Sequence, residues 1–418
     1  MKFVSILGLV IILFIAFLLC ENKKKINFKA LMWGLVLQLA FALFILKTTF
    51  GKWIFEFINK LAVKLLNFTT AGASFIFGNL VTDTKSFGFI FAFQVLPTII
   101  FFASLMGVLY YLGIMQWIVR IFAIAMIKLM KTSGIESLNA AANIFIGQTE
   151  APLLVKPYVS KSTRSELLAI MVAGMATIAG GVMIAYVAML NDYVPDIAGH
   201  LMAASVINAI GALIFTRLII PETEEPETLG KVKLDVPKTD ANVIDAAANG
   251  AFTGLHLALN VGAMLLAFIA LIAMCNYGLH LVGMGINKIF STNLNLSLQL
   301  IFGYIFSPFA WIIGIPWKDC IPVGNVLGMK LIINEFFAYS EFSMMLKNSV
   351  SKFDARSLIL ASYALCGFAN FSSIAIQIGG IGGIAPSRKH DLAKLGIKAL
   401  IAATLTNLAT AAIAGILI

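Results

Sequence analysis

Charge is what this sequence has least of. Asp, Glu, Lys and Arg make up 12% of its 418 residues and apolar residues 60%, whereas roughly a quarter of a soluble globular chain is charged. That scarcity excludes a soluble domain and leaves a polytopic membrane protein. Cysteine is also sparse: Cys20, Cys275, Cys320 and Cys366 stand alone in or near apolar segments, which excludes a disulfide framework and a C-x-x-C metal site. The four histidines form no H-E-x-x-H, and no Walker A sequence is present, so ATP-driven transport through this chain alone is excluded. His256, inside an apolar run, reads as a packing residue. A net charge of +10 would suit nucleic acid, but no basic stripe is interleaved with aromatics. Lys and Arg gather instead at the ends of apolar runs, where lipid head groups account for them.

What is present in abundance is apolar sequence long enough to cross a bilayer, at about 20 residues per crossing. Such runs occupy 4–20, 30–47, 96–119, 167–190, 198–219, 251–274, 357–380 and 394–417, which predicts about eight spans. The first is a retained helix, because Lys23, Lys24 and Lys25 follow its apolar stretch and no small-residue cleavage site is visible. Basic clusters at Lys23 to Lys29, Arg120 to Lys131, Arg217 to Lys238 and Arg388 to Lys398 fall on one side if both termini are outside, although Lys347, Lys352 and Arg356 then sit opposite. Residues 52–67 carry polar groups at spacings of three and four with Trp53, Phe57, Ile58, Leu61 and Leu65 on other faces, the pattern of an interfacial amphipathic helix. The one hydrophilic linker, 221–240, is expected in the cytoplasm and divides the chain into two halves.

Two apolar stretches are too short to cross and are interrupted by polar groups. FIGQTEAPLL, 145–154, predicts a helical hairpin that enters and leaves by one side, with its polar tip facing a cavity, since irregular backbone at that depth must be buried or line one. GNVLGMKLIINEFFAYSEF, 324–342, is the second. Aligning Thr149-Glu150 with Asn334-Glu335 brings GMAT at 174–177 near GFAN at 367–370, with an odd number of crossings between the copies. This is an inverted repeat, whose interrupted segments mark a transport site near the midplane. The parity requires that 300–317, broken up by Ser307-Pro308 and Gly314-Ile315-Pro316, be an interfacial or partly inserted segment.

An ionisable group at mid-membrane costs about 2.5–3.5 kcal/mol on insertion scales, so Glu150 and Glu335 are the leading site candidates. The bland alternative is that each merely caps a hairpin half-helix. Asn370, Ser372 and Ser373 lie beside glycines in CGFANFSSIAIQIGGIGG, a sequence that permits an unwound stretch but also suits ordinary helix packing. For a hard cation, Asn143 and Thr177 offer neutral oxygens and Ile146 and Ile178 backbone carbonyls; helix packing explains the same residues.

AANIFIGQTEAPLL at 141–154, AGMATIAGG at 173–181, ANVIDAAANGA at 241–251, LALNVGAMLLAF at 257–268, NEFFAYSEF at 334–342 and YALCGFANFSSIAIQIGGIGGIAPSRK at 363–389 resemble the concentrative nucleoside transporter family. The resemblance implies an all-α membrane protein with two re-entrant hairpins, a homotrimer, and an elevator-like movement of a mobile core against a scaffold. It implies that Gln148, Thr149, Glu150 and Val182 meet the nucleobase, that Glu335, Asn370 and Ser373 hold the ribose hydroxyls, and that Phe368 lies near the substrate. It further implies a sodium site at Asn143, Ile146, Thr177 and Ile178, where Thr177 replaces a common serine and keeps the hydroxyl. The expected division is scaffold at 1–135, transport core at 136–220, linker at 221–245, scaffold at 246–300 and transport core at 301–418. The expected activity is import of nucleosides such as uridine with Na+ through the inner membrane of a bacterial-type cell, by a chain embedded in lipid. Proton coupling, a passive channel, and a hydrolase using Glu150 and Glu335 as acid and base are the rivals.

Overall fold

A computed structural model describes residues 1–88, 90–230, 240–290, 295–349 and 352–418. Its secondary structure is helical among the described residues, apart from a single bridge between Ser133 and Leu229. The longer helices are α1 (Lys2–Leu18), α2 (Phe28–Lys47), α3 (Thr49–Phe77), α4 (Leu96–Tyr111), α5 (Ile114–Met130), α6 (Gly134–Ala142), α7 (Arg164–Ala176) and α8 (Gly180–Leu190). They continue as α9 (Ile197–Ile219), α10 (Val243–Phe290), α11 (Leu298–Ile312), α12 (Trp317–Ile332), α13 (Glu335–Ser349), α14 (Ala355–Leu365), α15 (Phe371–Ile384) and α16 (Lys389–Leu417). Polar caps start many of them: Asn27 accepts from the Ala30 amide, Thr48 from Gly51, and Ser133 and Thr163 form capping boxes with Glu136 and Glu166.

Among the described residues, six helices are long and apolar enough to cross a bilayer: Phe28–Lys47, Phe91–Tyr111, Arg164–Leu190, Ile197–Ile219, Val243–Ile289 and Pro386–Leu417. The other two expected spans differ in form. Residues 4–20 give the 17-residue α1, and 357–380 gives α14 and α15 separated by a break at 366–370. The run 96–119 also divides, because Leu112 and Gly113 turn the chain, with Gly113 at φ +81, before α5 begins. The expected amphipathic helix over 52–67 extends at both ends to Thr49–Phe77.

The segment 300–317 corrects the expectation in detail. Pro308 does not break it: α11 runs through to Ile312, and the Ser307 hydroxyl takes the Tyr304 carbonyl that the missing proline amide helps to free. The break falls at Gly314, φ +100, after which α12 folds back at 117°. So α11 and the first arm of the second hairpin pack against each other as a bent pair.

Burial separates an inner from an outer layer. The apolar window of α9 is 94% buried and that of α7 and α8 89%, whereas that of α10 is 11% buried. α16 and α9 therefore form the centre, with α1 and α14 packed on α16 and α2 on α9, while α10 lies outside against α4. The basic clusters converge at one end of the bundle: Arg217 donates to the Lys131 carbonyl, Arg388 to the Ser162 carbonyl, and Arg164 and Lys398 both bind Glu21. A cavity of about 750 Å³ at that end is lined by Lys25, Lys131 and Arg217 with Glu222, Glu224 and Glu225. The linker joins this end rather than hanging free: Thr228 accepts from the Gly134 and Ile135 amides that open the first hairpin. Residues 231–239 of the linker lie outside the described residues.

Candidate substrate and cation site

Each half brings a hairpin tip against a broken helix. In the first half, α6 ends at Ala142, a turn over 143–150 carries Gln148, Thr149 and Glu150, and a short 3-10 segment, Ala151–Val155, leads back. α7 then stops at Ala176 and α8 starts at Gly180, so 177–179 is the break. In the second half α12 ends at Ile332, α13 starts at Glu335, and the break is 366–370 between α14 and α15. The two breaks touch, with the Phe368 amide donating to the Thr177 carbonyl at 3.2 Å. At Gly367 a Cβ would stand 2.5 Å from the Asn407 amide oxygen and 2.7 Å from the Ala176 carbonyl, which is why only glycine fits there.

A buried polar cluster spans these two breaks. Asn370, the N-cap of α15, accepts from the Ser373 amide at 2.8 Å and donates its Nδ2 to Glu335 Oε2 at 2.8 Å. Tyr186 of α8 donates its hydroxyl to Glu335 Oε1 at 3.0 Å. Beside them Gln148 donates to Ser373 Oγ at 3.1 Å, and Gln377 donates both to Gln148 Oε1 at 3.0 Å and to the Met171 carbonyl at 2.9 Å. Gln148, Glu335, Asn370, Ser373 and Gln377 are all buried. An ionised carboxylate at such a position must be hydrogen-bonded to be tolerated, and Glu335 has one donor on each oxygen. Its remaining lone pairs, with the uncommitted hydroxyl and amide groups nearby, form a mixed set of donors and acceptors.

The predicted residues do not all converge equally. Gln148, Glu335, Asn370 and Ser373 are joined by hydrogen bonds, whereas Thr149 and Glu150 bond each other at 2.9 Å on an exposed tip. The Thr149 methyl lies where a Cβ on Gly380 would meet it, so the first tip rests on α15. Val182 is buried in the first turn of α8, and Phe368 is half-buried in the second break. Glu335 is the acidic residue of the first turn of α13, where the helix dipole favours it, while Asn334 caps that helix by accepting from the Phe337 amide at 2.8 Å; the bonds from Tyr186 and Asn370 are additional to that local role. Tyr186 and Gln377 escaped the sequence reading. Each stands four residues after a predicted one, Val182 and Ser373, and is therefore on the same helical face.

Three comparisons bear on what this cluster serves. Residues 200–415 match the model described as Na+ dependent nucleoside transporter C-terminus, residues 7–80 its N-terminus, and residues 92–193 a model described as nucleoside recognition. The chain belongs to the Na+-dependent nucleoside transporters. It is 46% identical to the uncharacterized transporter YutK of Bacillus subtilis over 99% of both chains. It is 40% identical to human solute carrier family 28 member 3 over its whole length, spanning 60% of that longer protein. Among solved structures, CNTnw in an inward-facing substrate-bound state superposes with a TM-score of 0.90 at 42% identity, covering 100% of this chain and 98% of that one. A CNTnw variant in an outward-facing state gives a TM-score of 0.91 at 41% identity, covering 100% and 97%.

As a nucleoside transporter of this family the chain is a carrier and not an enzyme, and sodium is its coupling ion. The residues expected to meet sodium fit a hard cation on one structural ground. Asn143 is buried, its amide nitrogen donates to the Asn139 carbonyl at 2.9 Å, and its Oδ1 is buried with no partner. A buried acceptor is costly unless a donor, a water or a cation meets it, and a cation bound at Asn143 would do so. Thr177 follows the last residue of α7, its hydroxyl bonded to the Ala173 carbonyl at 2.8 Å, and Ile146 and Ile178 flank the contact of the Gly180 amide with the Phe145 carbonyl. Among the described residues no cluster of three His, Cys, Asp or Glu side chains offers a competing metal site.

Proposed function

We propose that this transporter imports nucleosides such as uridine with Na+ across the inner membrane of a bacterial cell, as a homotrimer in lipid. In this reading Gln148, Thr149, Glu150 and Val182 face the base, Glu335, Asn370 and Ser373 take the ribose hydroxyls, and Phe368 lies alongside. Asn143, Thr177 and the carbonyls of Ile146 and Ile178 hold Na+. The observation that carries it is the buried cluster of Glu335, Asn370, Ser373 and Gln148, which joins a carboxylate on the second hairpin tip and an amide on the first to the break between α14 and α15. A ribose diol is a pair of donors that a carboxylate accepts, and a base edge needs the mixed groups of glutamine and threonine.

The mobile core in this reading contains both hairpins with α7 to α9 and α14 to α16, and the scaffold is built around α4 and α10. The expected division at residue 135 assigned α1 and α2 to the scaffold; their packing on α16 and α9 favours carrying them with the core. The exposed flank of α10, with Leu259, Leu266, Met274 and Tyr277 outward, supports its use against lipid and other protomers. The core moves its site from one side to the other as an elevator does.

One Na+ falling through about 100 mV releases about 2.3 kcal/mol, and at about 1.4 kcal/mol per tenfold this supports on the order of 50-fold accumulation. Uptake of labelled uridine into proteoliposomes tests the reading. An inward Na+ gradient is expected to drive accumulation; accumulation with an imposed proton gradient alone would move coupling to a carboxylate, and equal concentrations inside and outside under either gradient would leave a channel.

A further inference from the structure

The two breaks are not treated alike, and the difference lies in one residue that the transport reading does not use. Lys330 is in the last turn of α12, 5% exposed. Its ammonium donates to the Ala364 carbonyl at 2.9 Å and to Asn407 Oδ1 at 2.6 Å. Among the described residues no carboxylate lies within ion-pair distance of it. A buried lysine without a carboxylate in contact is rare: the Glu335 carboxylate acts on it from beyond ion-pair distance, and the groups in contact with it are dipoles.

Those dipoles are the carbonyl end of α14. A helix terminus leaves its last carbonyls without amide partners and carries partial negative charge. At Ala364 the amide four residues on, that of Phe368, is turned away to the Thr177 carbonyl, and Lys330 takes the place it left. Asn407 extends the same system, donating to the Ala176 carbonyl at 2.7 Å and to the Cys366 carbonyl at 3.0 Å. The first half has the same parts without the cation. α7 ends at Ala176, the Asn143 oxygen of the same half is buried without a partner, and in the register that aligns Glu150 with Glu335, the residue matching Lys330 is Phe145. Its backbone carbonyl also reaches the break of its own half, at the Gly180 amide.

We propose that Lys330 is a tethered cation that does in the second half what Na+ does in the first, neutralising the carbonyl end of a broken helix so that the second hairpin closes without an ion of its own. The inference rests on the sodium site proposed above. It makes Lys330 a positioning residue for Glu335, five residues along the same hairpin, rather than a ligand of the nucleoside.

The test is equilibrium binding of labelled uridine to purified protein as a function of Na+, with choline replacing it, for the natural chain, Lys330→Arg and Lys330→Asn. Lys330→Asn removes the charge and leaves oxygen ligands, so a second Na+ is expected to enter and the slope of log affinity against log Na+ to rise by one. Lys330→Arg is expected to keep the natural slope. An unchanged slope and midpoint in Lys330→Asn would overturn the proposal, as would a raised slope in Lys330→Arg. If Lys330→Asn is unstable in choline chloride, its recovery in NaCl reads the same ion entry, and failure to recover in either salt overturns the proposal. Absence of any Na+ dependence in the natural chain would instead remove the underlying sodium site.

Discussion

Glu335 accepts one hydrogen bond on each carboxylate oxygen, from Tyr186 and from Asn370, and Glu335→Gln turns one of those acceptors into a donor. A hydrogen bond to a charged group contributes about 1.5–3 kcal/mol, so uridine affinity should fall about 10- to 100-fold, with 2′-deoxyuridine less affected. Competition binding with the two nucleosides checks this, and an unchanged preference between them would take the diol away from Glu335. At the proposed ion site, Thr177→Val keeps the size of the side chain and deletes its hydroxyl oxygen. The Na+ concentration for half-maximal uptake should rise about tenfold or more, from the loss of one ligand, while uridine binding at saturating Na+ stays within about twofold; equal Na+ curves would exclude Thr177 as a ligand. The sequence displayed Glu335 because an ionisable group amid apolar neighbours is costly, whereas Thr177 and Asn143 suited ordinary helix packing equally well and their ion role came from the family resemblance. Lys330 is as polar and as isolated within GNVLGMKLIINEFFAYSEF, yet the sequence assigned it no role. Its carbonyl partner is 34 residues away, and no local pattern reports such a pairing.

At the scale of elements, the first hairpin is anchored by charge at its base. Glu136 closes the capping box of α6 and its carboxylate also pairs with Arg217 of α9 at 2.8 Å, with side chains 0% and 13% exposed. Removing one partner of a buried pair strands the other, at about 3–5 kcal/mol, so Arg217→Ala should lower the unfolding temperature in detergent by several degrees, measured at neutral pH. A shift no larger than that of an exposed control such as Lys60→Ala would show the pair to be dispensable. Glu21 does a similar task for α1. Burial works to raise its pKa, but hydrogen bonds from Lys398 and Arg164 and their charges prevail and hold it below the ordinary carboxylate value. A depressed folded-state pKa contributes stability that is present above the unfolded value and lost as pH falls through the folded one. The melting difference between the natural chain and Glu21→Gln should therefore be fully present at neutral pH and vanish in acid; a difference independent of pH would refute the assignment. The positive clusters foretold this shared end of the bundle, since short basic loops follow one rule. The division of 96–119 at Gly113 was hidden because the sequence is apolar on both sides of it, and the passage of α11 through Pro308 because a membrane helix tolerates proline where a neighbouring hydroxyl takes the freed carbonyl.

At the scale of the whole molecule, α4 is the place where the outer pair meets the core. Phe102 of α4 lies against Gly180 and Gly181, the first residues of α8: a Cβ on Gly181 would stand 3.6 Å from the Phe102 ring, an ordinary contact, and one on Gly180 2.8 Å. If the core carries both breaks past α4, this contact must be lost in each cycle, whereas a channel with a fixed frame would keep it. The two mechanisms can be separated by Phe102→Cys with Gly181→Cys, on a background in which the native cysteines are replaced. Mercury bridging of the pair should reduce uridine uptake to background and leave uridine binding within a fewfold, because the polar cluster lies within the core and is untouched by the bridge; a reductant should restore uptake. Uptake that continues at full rate through a bridge verified by mass spectrometry would mean that the core does not slide past α4, and the elevator movement would have to be given up.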